Sequence, residues 1–362
     1  MSRTPGAVQQ NKRQWLTAHL RQRIVRGELA PGEQLPTRGE MEREFGLSTV
    51  TVQQALNSLI FDEFVFVNGR RGTFVSSTPP HLTRYAVVMR QHPHDDSGWT
   101  RFMAALCDEA ARLQHAGEYR IFVHTGVEAH VDNEAFQQLV QEVREHRWAG
   151  LIFVSQGDYL NTALLDEPGV ARVLLCASVP APTAPAMHAV SLNLDSLWQR
   201  ALDYCAARGR RRLAVLGPSP VGMHVIPVEA AKRGMEVRPY WVQTVSITVA
   251  EAARQCVHLL MHPGQQERPD ALFITDDNLV EAATRGLLDA GVRVPQDVDV
   301  VAHGNFPHLT PSSLPVVRLG FDIRQALQLC IEDIDRQRQG ELGRPLTQVM
   351  AQFEEEKATI LS

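Results

Sequence analysis

No stretch of eighteen apolar residues occurs anywhere in the 362 residues, which leaves no candidate for a membrane-spanning helix. The polar opening MSRTPGAVQQNKR lacks the apolar core of a secretory signal, so a cytoplasmic chain is expected. Cysteine is sparse: Cys107, Cys176, Cys205, Cys256 and Cys330 are scattered, with no CxxC pair. That spacing speaks against a disulfide or zinc framework and for reduced, mostly buried thiols. Lysine is rarer still. Lys12, Lys232 and Lys357 are the only three, and none sits in a setting suited to a Schiff base with pyridoxal phosphate. GxSxG, P-loop, HExxH and GxGxxG patterns are all missing. No catalytic residue, cofactor or metal is therefore expected, and the chain reads as a non-enzyme. The one cluster of metal-ligand side chains, His92-Pro93-His94-Asp95-Asp96, lies in a proline-containing loop with no visible supporting groups, and reads as a solvated loop.

Charge is unevenly spread. The net −5 divides into +3 over residues 1–77 and −8 over the remainder. A modestly basic head on an acidic body suits one DNA-contacting end, because phosphate neutralisation drives non-specific affinity. Within that head, Leu20 to Val75 has the order of a winged helix-turn-helix. Trp15, Leu16, His19, Leu20, Arg23 and Ile24 fall at helical spacing, and Gly27 stops the helix. Ala30-Pro31-Gly32-Glu33 is a turn. Thr37 stands at an N-cap with Glu40 three residues on as its capping-box partner. Ser48 caps the next helix, whose apolar face is Val52, Ala55, Leu56, Leu59 and Ile60. Two β-prone runs, FVFV and GTFV, then flank the basic tip Asn68-Gly69-Arg70-Arg71. In such a module one helix enters the major groove and the hairpin tip reaches the flanking backbone. The expected DNA contacts are Thr37, Arg38, Ser48, Thr49, Thr51, Gln53, Gln54, Arg70, Arg71 and Gly72. Gln pairs bidentately with adenine.

This segment resembles the GntR family of bacterial transcription regulators. The resemblance rests on the RGELAPGEQLPT run (Arg26 to Thr37), Leu47-Ser48 with Thr51-Val52, Ala55-Leu56, and the closing Gly72-Thr73-Phe74-Val75. Where the family commonly carries base-reading arginines this chain has Gly39, Thr49 and Gln53, with Arg38 one residue away from the first. GntR-type heads also occur on aminotransferase-like domains, a class that the scarcity of lysine disfavours.

After the Ser76–Pro80 linker, apolar runs of four to six residues alternate with helical stretches: YAVVM, YRIFVH, GLIFVS, VLLC, RLAVLG, ALFIT and VDVVAH. Short β-rich runs separated by helices imply parallel sheets covered on both faces. Two blocks suggest twin doubly wound lobes with a cleft at the strands' carboxyl ends. The region resembles the LacI-type, periplasmic-binding-protein-like effector domain, most closely over Arg211 to Gly340. A GntR-type head on such a body is the layout of the arabinose-repressor group. The expected architecture is an α+β winged helix-turn-helix head (1–77), a linker (78–84) and an α/β two-lobed periplasmic-binding-protein-like domain with doubly wound parallel sheets (85–362). Its lobes are expected at about 85–185 plus 316–345, and 190–315 plus the C-terminal tail.

The resemblance implies a homodimer on double-stranded operator DNA, a small-molecule effector such as a sugar between the lobes, and no membrane partner. Asp277, after strand ALFIT, matches the family's hydroxyl-binding aspartate, although either it or Asp276 suits the N-cap of the following helix. Asn305 is the polar group retained after the last strand, in Ala302-His303-Gly304-Asn305. Ser97 and Trp99 offer a hydroxyl and a stacking face, with a core role open for Trp99, and His224 is a polar candidate after RLAVLGP. The alternative reading is an effector-independent DNA-binding regulator whose ligand domain serves mainly dimerisation.

Overall fold

A computed structural model describes residues 5–94, 98–117, 119–129, 133–154, 163–177, 187–219, 223–341 and 345–356. The head holds α1 (Pro5–Val25), α2 (Arg38–Phe45), α3 (Thr49–Phe61), β1 (Val65–Val67) and β2 (Thr73–Val75). Its helix starts are set by the residues that sequence reasoning singles out. The Thr37 backbone N–H donates to Glu40 Oε2 at 2.7 Å, and the Glu40 N–H returns to Thr37 Oγ1. Gly46 ends α2 in the left-handed region, and the Thr51 N–H donates to the Ser48 cap. Leu16, Leu20 and Ile24 of α1 bury against Val52, Leu56 and Leu59 of α3, closed by Phe64 and Val75 from the wing. The two wing strands pair antiparallel, Val65 opposite Val75. Gln34 Nε2 donates to the Arg71 carbonyl at 2.7 Å and holds the tip in place. Gly72 is required there: its φ is +115°, and a Cβ would come within 2.8 Å of Gln34 Nε2.

The linker contains a turn of helix, α4 (Pro80–Thr83), where an irregular link is expected. The difference has a simple cause. Pro80 occupies the first helical position, where a backbone N–H has no partner to lose.

The body follows with β3 (Arg84–Val88), α5 (Arg101–His115), β4 (Arg120–His124), α6 (Glu134–Arg144), β5 (Gly150–Val154), α7 (Ala163–Asp166), β6 (Ala171–Cys176) and β7 (His188–Leu192). Next come α8 (Leu194–Ala207), β8 (Leu213–Gly217), α9 (Ile226–Lys232), β9 (Val242–Thr244), α10 (Ala252–Met261), β10 (Ala271–Ile274), α11 (Val280–Asp289) and β11 (Asp299–Phe306). β12 (Val317–Asp322), α12 (Ile323–Arg338), β13 (Leu346–Val349) and β14 (Gln352–Phe353) complete it. Two six-stranded sheets result, ordered β13-β7-β6-β5-β3-β4 and β14-β12-β11-β10-β8-β9. All pairings are parallel except β12 with β14. Central strands such as GLIFV and LAVLG are buried at every position, as parallel strands covered on both faces must be.

The division between lobes differs from the expected one. β12 pairs with β11 in the second sheet, whereas the sequence pattern places residues 316–345 in the first lobe. Conversely β13, at 346–349, pairs with β7 in the first sheet, whereas the sequence pattern puts the C-terminal tail in the second lobe. α12 does pack on β5, β6 and β7 of the first lobe. The chain therefore changes lobes between Asp322 and Ile323 with no loop, because the Asp322 side chain accepts from the Gln325 N–H and starts the helix at once. It also crosses at Asn193 and at 350–351. The Asn193 N–H donates to the Val349 carbonyl at 2.9 Å, and the Ala351 N–H to Ser196 Oγ at 2.9 Å, so these crossings lie side by side.

Candidate functional site

On the head, Thr49, Val50, Gln54 and Asn57 form the exposed face of α3, with Gln53 half-buried beside them. Gln53 Nε2 donates to Asn57 Oδ1 at 2.7 Å, a bond that reading a base would break. Arg38 is exposed on α2, and Arg70 and Arg71 are exposed on the 3-10 turn of the wing tip. Thr51 is a correction. It is 2 % exposed and faces the head core, its hydroxyl 2.9 Å from Ser48 Oγ, so Ser48 and Thr51 serve the cap. The Thr37 hydroxyl is likewise engaged, donating to Glu40 Oε2 at 2.7 Å.

The far end of α3 is tied to the body. Its C-cap Asp62 forms a buried ion pair with Arg21 of α1 and a second, at 2.5 Å, with Arg147, which follows α6. Burial lowers Arg21 and raises Asp62, each opposed by the other's charge. Glu63 then reaches Arg84 of β3 and Arg120 of β4, both at 2.5 Å. The ring of Phe64 stacks on His81 of the linker helix, 5.8 Å between centroids. Burial pushes His81 down to about 4. Alongside runs a cleft of about 710 Å3, bounded by Arg13 of α1, Gln54, Asn57 and Ser58 of α3, and Gln141 and Arg144 of α6.

Between the lobes lies a cavity of about 290 Å3, at the carboxyl edge of the second sheet. Asp276 and Asp277 divide two tasks there. Asp276 accepts from the Asn278 N–H at 2.9 Å and takes the cap. Asp277 is thereby released to line the cavity, 1 % exposed, its Oδ2 accepting from Asn305 Nδ2 at 2.8 Å. Burial raises the Asp277 carboxyl, against the pull of His303, Asn305 and Arg101. Asn305 Oδ1 and His303 Nδ1 are buried with no partner. Buried polar atoms in native folds are nearly always paired, so such exceptions call for a cause. The opposite wall is apolar: Trp198 of α8, Phe102 of α5, Phe321 of β12 and Met223. Gly217 lets this lining close up, since a Cβ there would meet Thr275 Oγ1 at 2.3 Å and Met223 Sδ at 2.5 Å.

The remaining expected ligand residues fall elsewhere. His224 is exposed, and its neighbour Met223 lines the cavity instead. Trp99 packs against the apolar core, while Thr100 and Phe102 take the cavity positions. Ser97 lies outside the described residues, as do Asp95 and Asp96 of the His/Asp loop. His303, Trp198, Phe102 and Phe321 went unnamed because apolar or β-strand positions read as core. The two lobes touch at the mouth, where the Arg101 N–H donates to Asn278 Oδ1 at 3.1 Å. Deeper, the buried Glu109 carboxylate of α5 meets His308 at 3.0 Å, Arg324 at 2.8 Å and Arg112 at 2.8 Å. Burial works against its charge, but these partners hold it down to about 2.

Comparison with known proteins agrees with this division. Residues 12–75 match the family of bacterial regulatory proteins, gntR family, and residues 202–350 match the periplasmic binding protein-like domain. The mannosyl-D-glycerate transport/metabolism system repressor MngR of Escherichia coli is 45% identical over 56 residues, 16% of this chain and 23% of the repressor. The transcriptional regulator TauR of Rhodobacter capsulatus is 24% identical over 353 residues, 89% of this chain and 68% of the regulator. The chain thus spans under a quarter of MngR and about two thirds of TauR. Among solved structures, a regulatory protein of the LacI family from Chloroflexus aggregans superposes with a TM-score of 0.59 at 15% identity, covering 75% of this chain and 96% of that one. The Escherichia coli transcriptional repressor ascG gives 0.57 at 14% identity, covering 75% and 97%. These two show a shared fold. Among the described residues no helix is long and apolar enough to cross a membrane. The chain thus carries a segment similar to the gntR family at residues 12–75 and, behind it, one similar to the periplasmic binding protein-like domain at residues 202–350.

Proposed function

We propose that this protein is a DNA-binding transcription regulator, a repressor, whose operator affinity is set by a small molecule held between the lobes. The observation that carries the reading is the pairing, in one chain, of an exposed basic wing with a buried cavity. That cavity keeps Asn305 Oδ1 and His303 Nδ1 unpartnered beside Asp277. Such atoms occur elsewhere in the fold too, as at Arg21 Nε and Trp148 Nε1, but here two of them line one cavity beside a buried carboxylate, which supports a ligand there. The repressors among its relatives support the sign of control. The protein acts in the cytoplasm as a homodimer, two heads addressing two half-sites of a near-palindromic operator, and requires no catalysis. Lobe closure reaches the head through the linker helix and through the arginines that grip Asp62 and Glu63. A ligand shifts the equilibrium only by its differential affinity for the two lobe arrangements.

Two substitutions test the two halves. Arg70→Ala with Arg71→Ala is expected to weaken DNA binding and flatten the slope of log affinity against log salt by about 2. An unchanged slope removes the wing from the mechanism. Asp277→Ala is expected to abolish any ligand effect on DNA affinity while leaving DNA binding intact; a retained effect removes the cavity.

A further inference from the structure

The cleft of about 710 Å3 between the head and the first lobe is larger than the cavity between the lobes, and the joint alone does not account for it. Three helices wall it: α1 and α3 from the head, α6 from the body. Four guanidiniums, of Arg13, Arg21, Arg144 and Arg147, face two carboxylates, of Asp62 and Glu145. The carboxylates are already served. Asp62 meets Arg21 through one oxygen and Arg147 through the other. Glu145 accepts from Gln141 Nε2 at 2.8 Å and is ion-paired with Arg147. Two of the guanidiniums are not served. The Arg13 side chain has no ion pair or hydrogen bond among the described residues. Arg144 commits only its Nε, to Glu167, which stands outside the lining. A guanidinium carries five N–H donors, so the walls offer donors in excess of acceptors. Phe61 adds a flat apolar face, 81 % exposed at the last turn of α3. One exposed ring is ordinary on a protein surface, but beside unspent guanidiniums in a walled cleft it offers a stacking surface.

We propose that this cleft is a second ligand site, separate from the cavity between the lobes, and that it takes a small phosphorylated molecule with a flat ring, in its simplest form a nucleoside monophosphate. Arg13 from the head and the terminal nitrogens of Arg144 from the body hold the phosphate, whose oxygens suit the guanidinium fork. The ring lies on Phe61, with the Gln54 amide at hand for its polar edge. The volume is within the range of small-molecule sites. Walls on three sides suit a free nucleotide rather than a duplex, whose bases are stacked inside. A bound molecule bridges the joint that Asp62 and Glu63 make, so its concentration sets how firmly the head is held on the body.

The test titrates the full chain with adenosine 5′-monophosphate, adenosine and inorganic phosphate, by calorimetry and by thermal shift. The monophosphate is expected to raise the melting temperature and to bind at least about tenfold more tightly than either of the others, because each of those carries half of the recognition. Two substitutions, at side chains on which the fold does not lean, locate the site. Arg13→Ala is expected to erase the advantage of the monophosphate over adenosine, and Arg13→Lys to keep part of it. Phe61→Ser is expected to weaken both nucleoside probes by at least about fivefold, with the urea midpoint unchanged in every variant. The inference is overturned if the monophosphate gives no shift, or if inorganic phosphate binds as tightly. Binding that is unchanged in both Arg13→Ala and Phe61→Ser also overturns it, since the nucleotide would then sit elsewhere, the cavity between the lobes included. Duplex DNA is the remaining occupant. No nucleotide binding, together with a slope of log DNA affinity against log salt that falls by about 1 in Arg13→Ala, would assign the cleft to the DNA backbone instead.

Discussion

The joint between head and body and the cavity between the lobes are both built on buried aspartates, yet they are finished to different degrees. At the joint, Asp62 has a guanidinium on each side and Glu63 has two more. In the cavity, Asp277 has one amide, and the acceptor and ring nitrogen beside it have nothing. Burial alone does not separate the two aspartates, at 4 % and 1 % exposed. What separates them is whether a guanidinium meets the carboxylate. A carboxylate met by guanidinium groups holds the fold, even though Arg21, Arg84 and Arg147 each keep a buried Nε without a hydrogen-bond partner, whereas Asp277 carries a desolvation cost that a ligand would remove.

The sharpest break in this comparison is Asp62→Ala. It strands Arg21 as a buried charge without its partner, a loss of about 3–5 kcal/mol, read as a lower urea midpoint. A midpoint near that of the wild type would mean that the joint is ornamental. Glu109→Gln comes next. It leaves Arg324 and Arg112 facing a neutral group where lobe meets lobe, and a destabilisation of about 1–3 kcal/mol is expected in the same assay. Glu63→Gln tests the exposed part of the joint. Glu63 is about half exposed, so the expected loss is under about 1 kcal/mol and vanishes in high salt.

Acidification gives the smallest effect. His81 is held neutral by burial, with a folded value of about 4 against an ordinary 6.5. The unfolded chain therefore binds the extra proton first, and stability falls as pH drops from about 6.5 to about 4. His124 and His146 are lowered by burial too, so His81→Phe is expected to remove only part of this slope in melting temperature. An unaltered slope would place the titration elsewhere.

What was legible in the sequence was local. The capping box of Thr37 and Glu40, the Ser48 cap and the wing need only near neighbours, and the alternation of strands and helices marks two parallel sheets. Asp277 was legible as a polar residue at a strand end, although only coordinates show that Asp276 takes the cap and releases it. The joint was not legible, because Asp62 and Arg147 are 85 positions apart and neither has an unusual sequence setting. The lobe boundary was missed for a related reason. The change of lobe at Asp322 leaves no proline or loop to mark it. His303, Trp198 and Phe321 were hidden because an apolar wall of a cavity has the same pattern as core.

The measurement that bears most directly on the unfinished cavity is the unfolding free energy of Asp277→Asn, set beside that of Asp62→Asn. Replacing Asp277 by its neutral isostere keeps a hydrogen bond to Asn305 and removes a carboxylate that burial disfavours. Stability equal to the wild type or higher by about 1 kcal/mol is expected, while Asp62→Asn loses stability. A loss at Asp277 as large as that at Asp62 would show that the cavity aspartate serves the fold, contradicting the assignment of this cleft to a ligand.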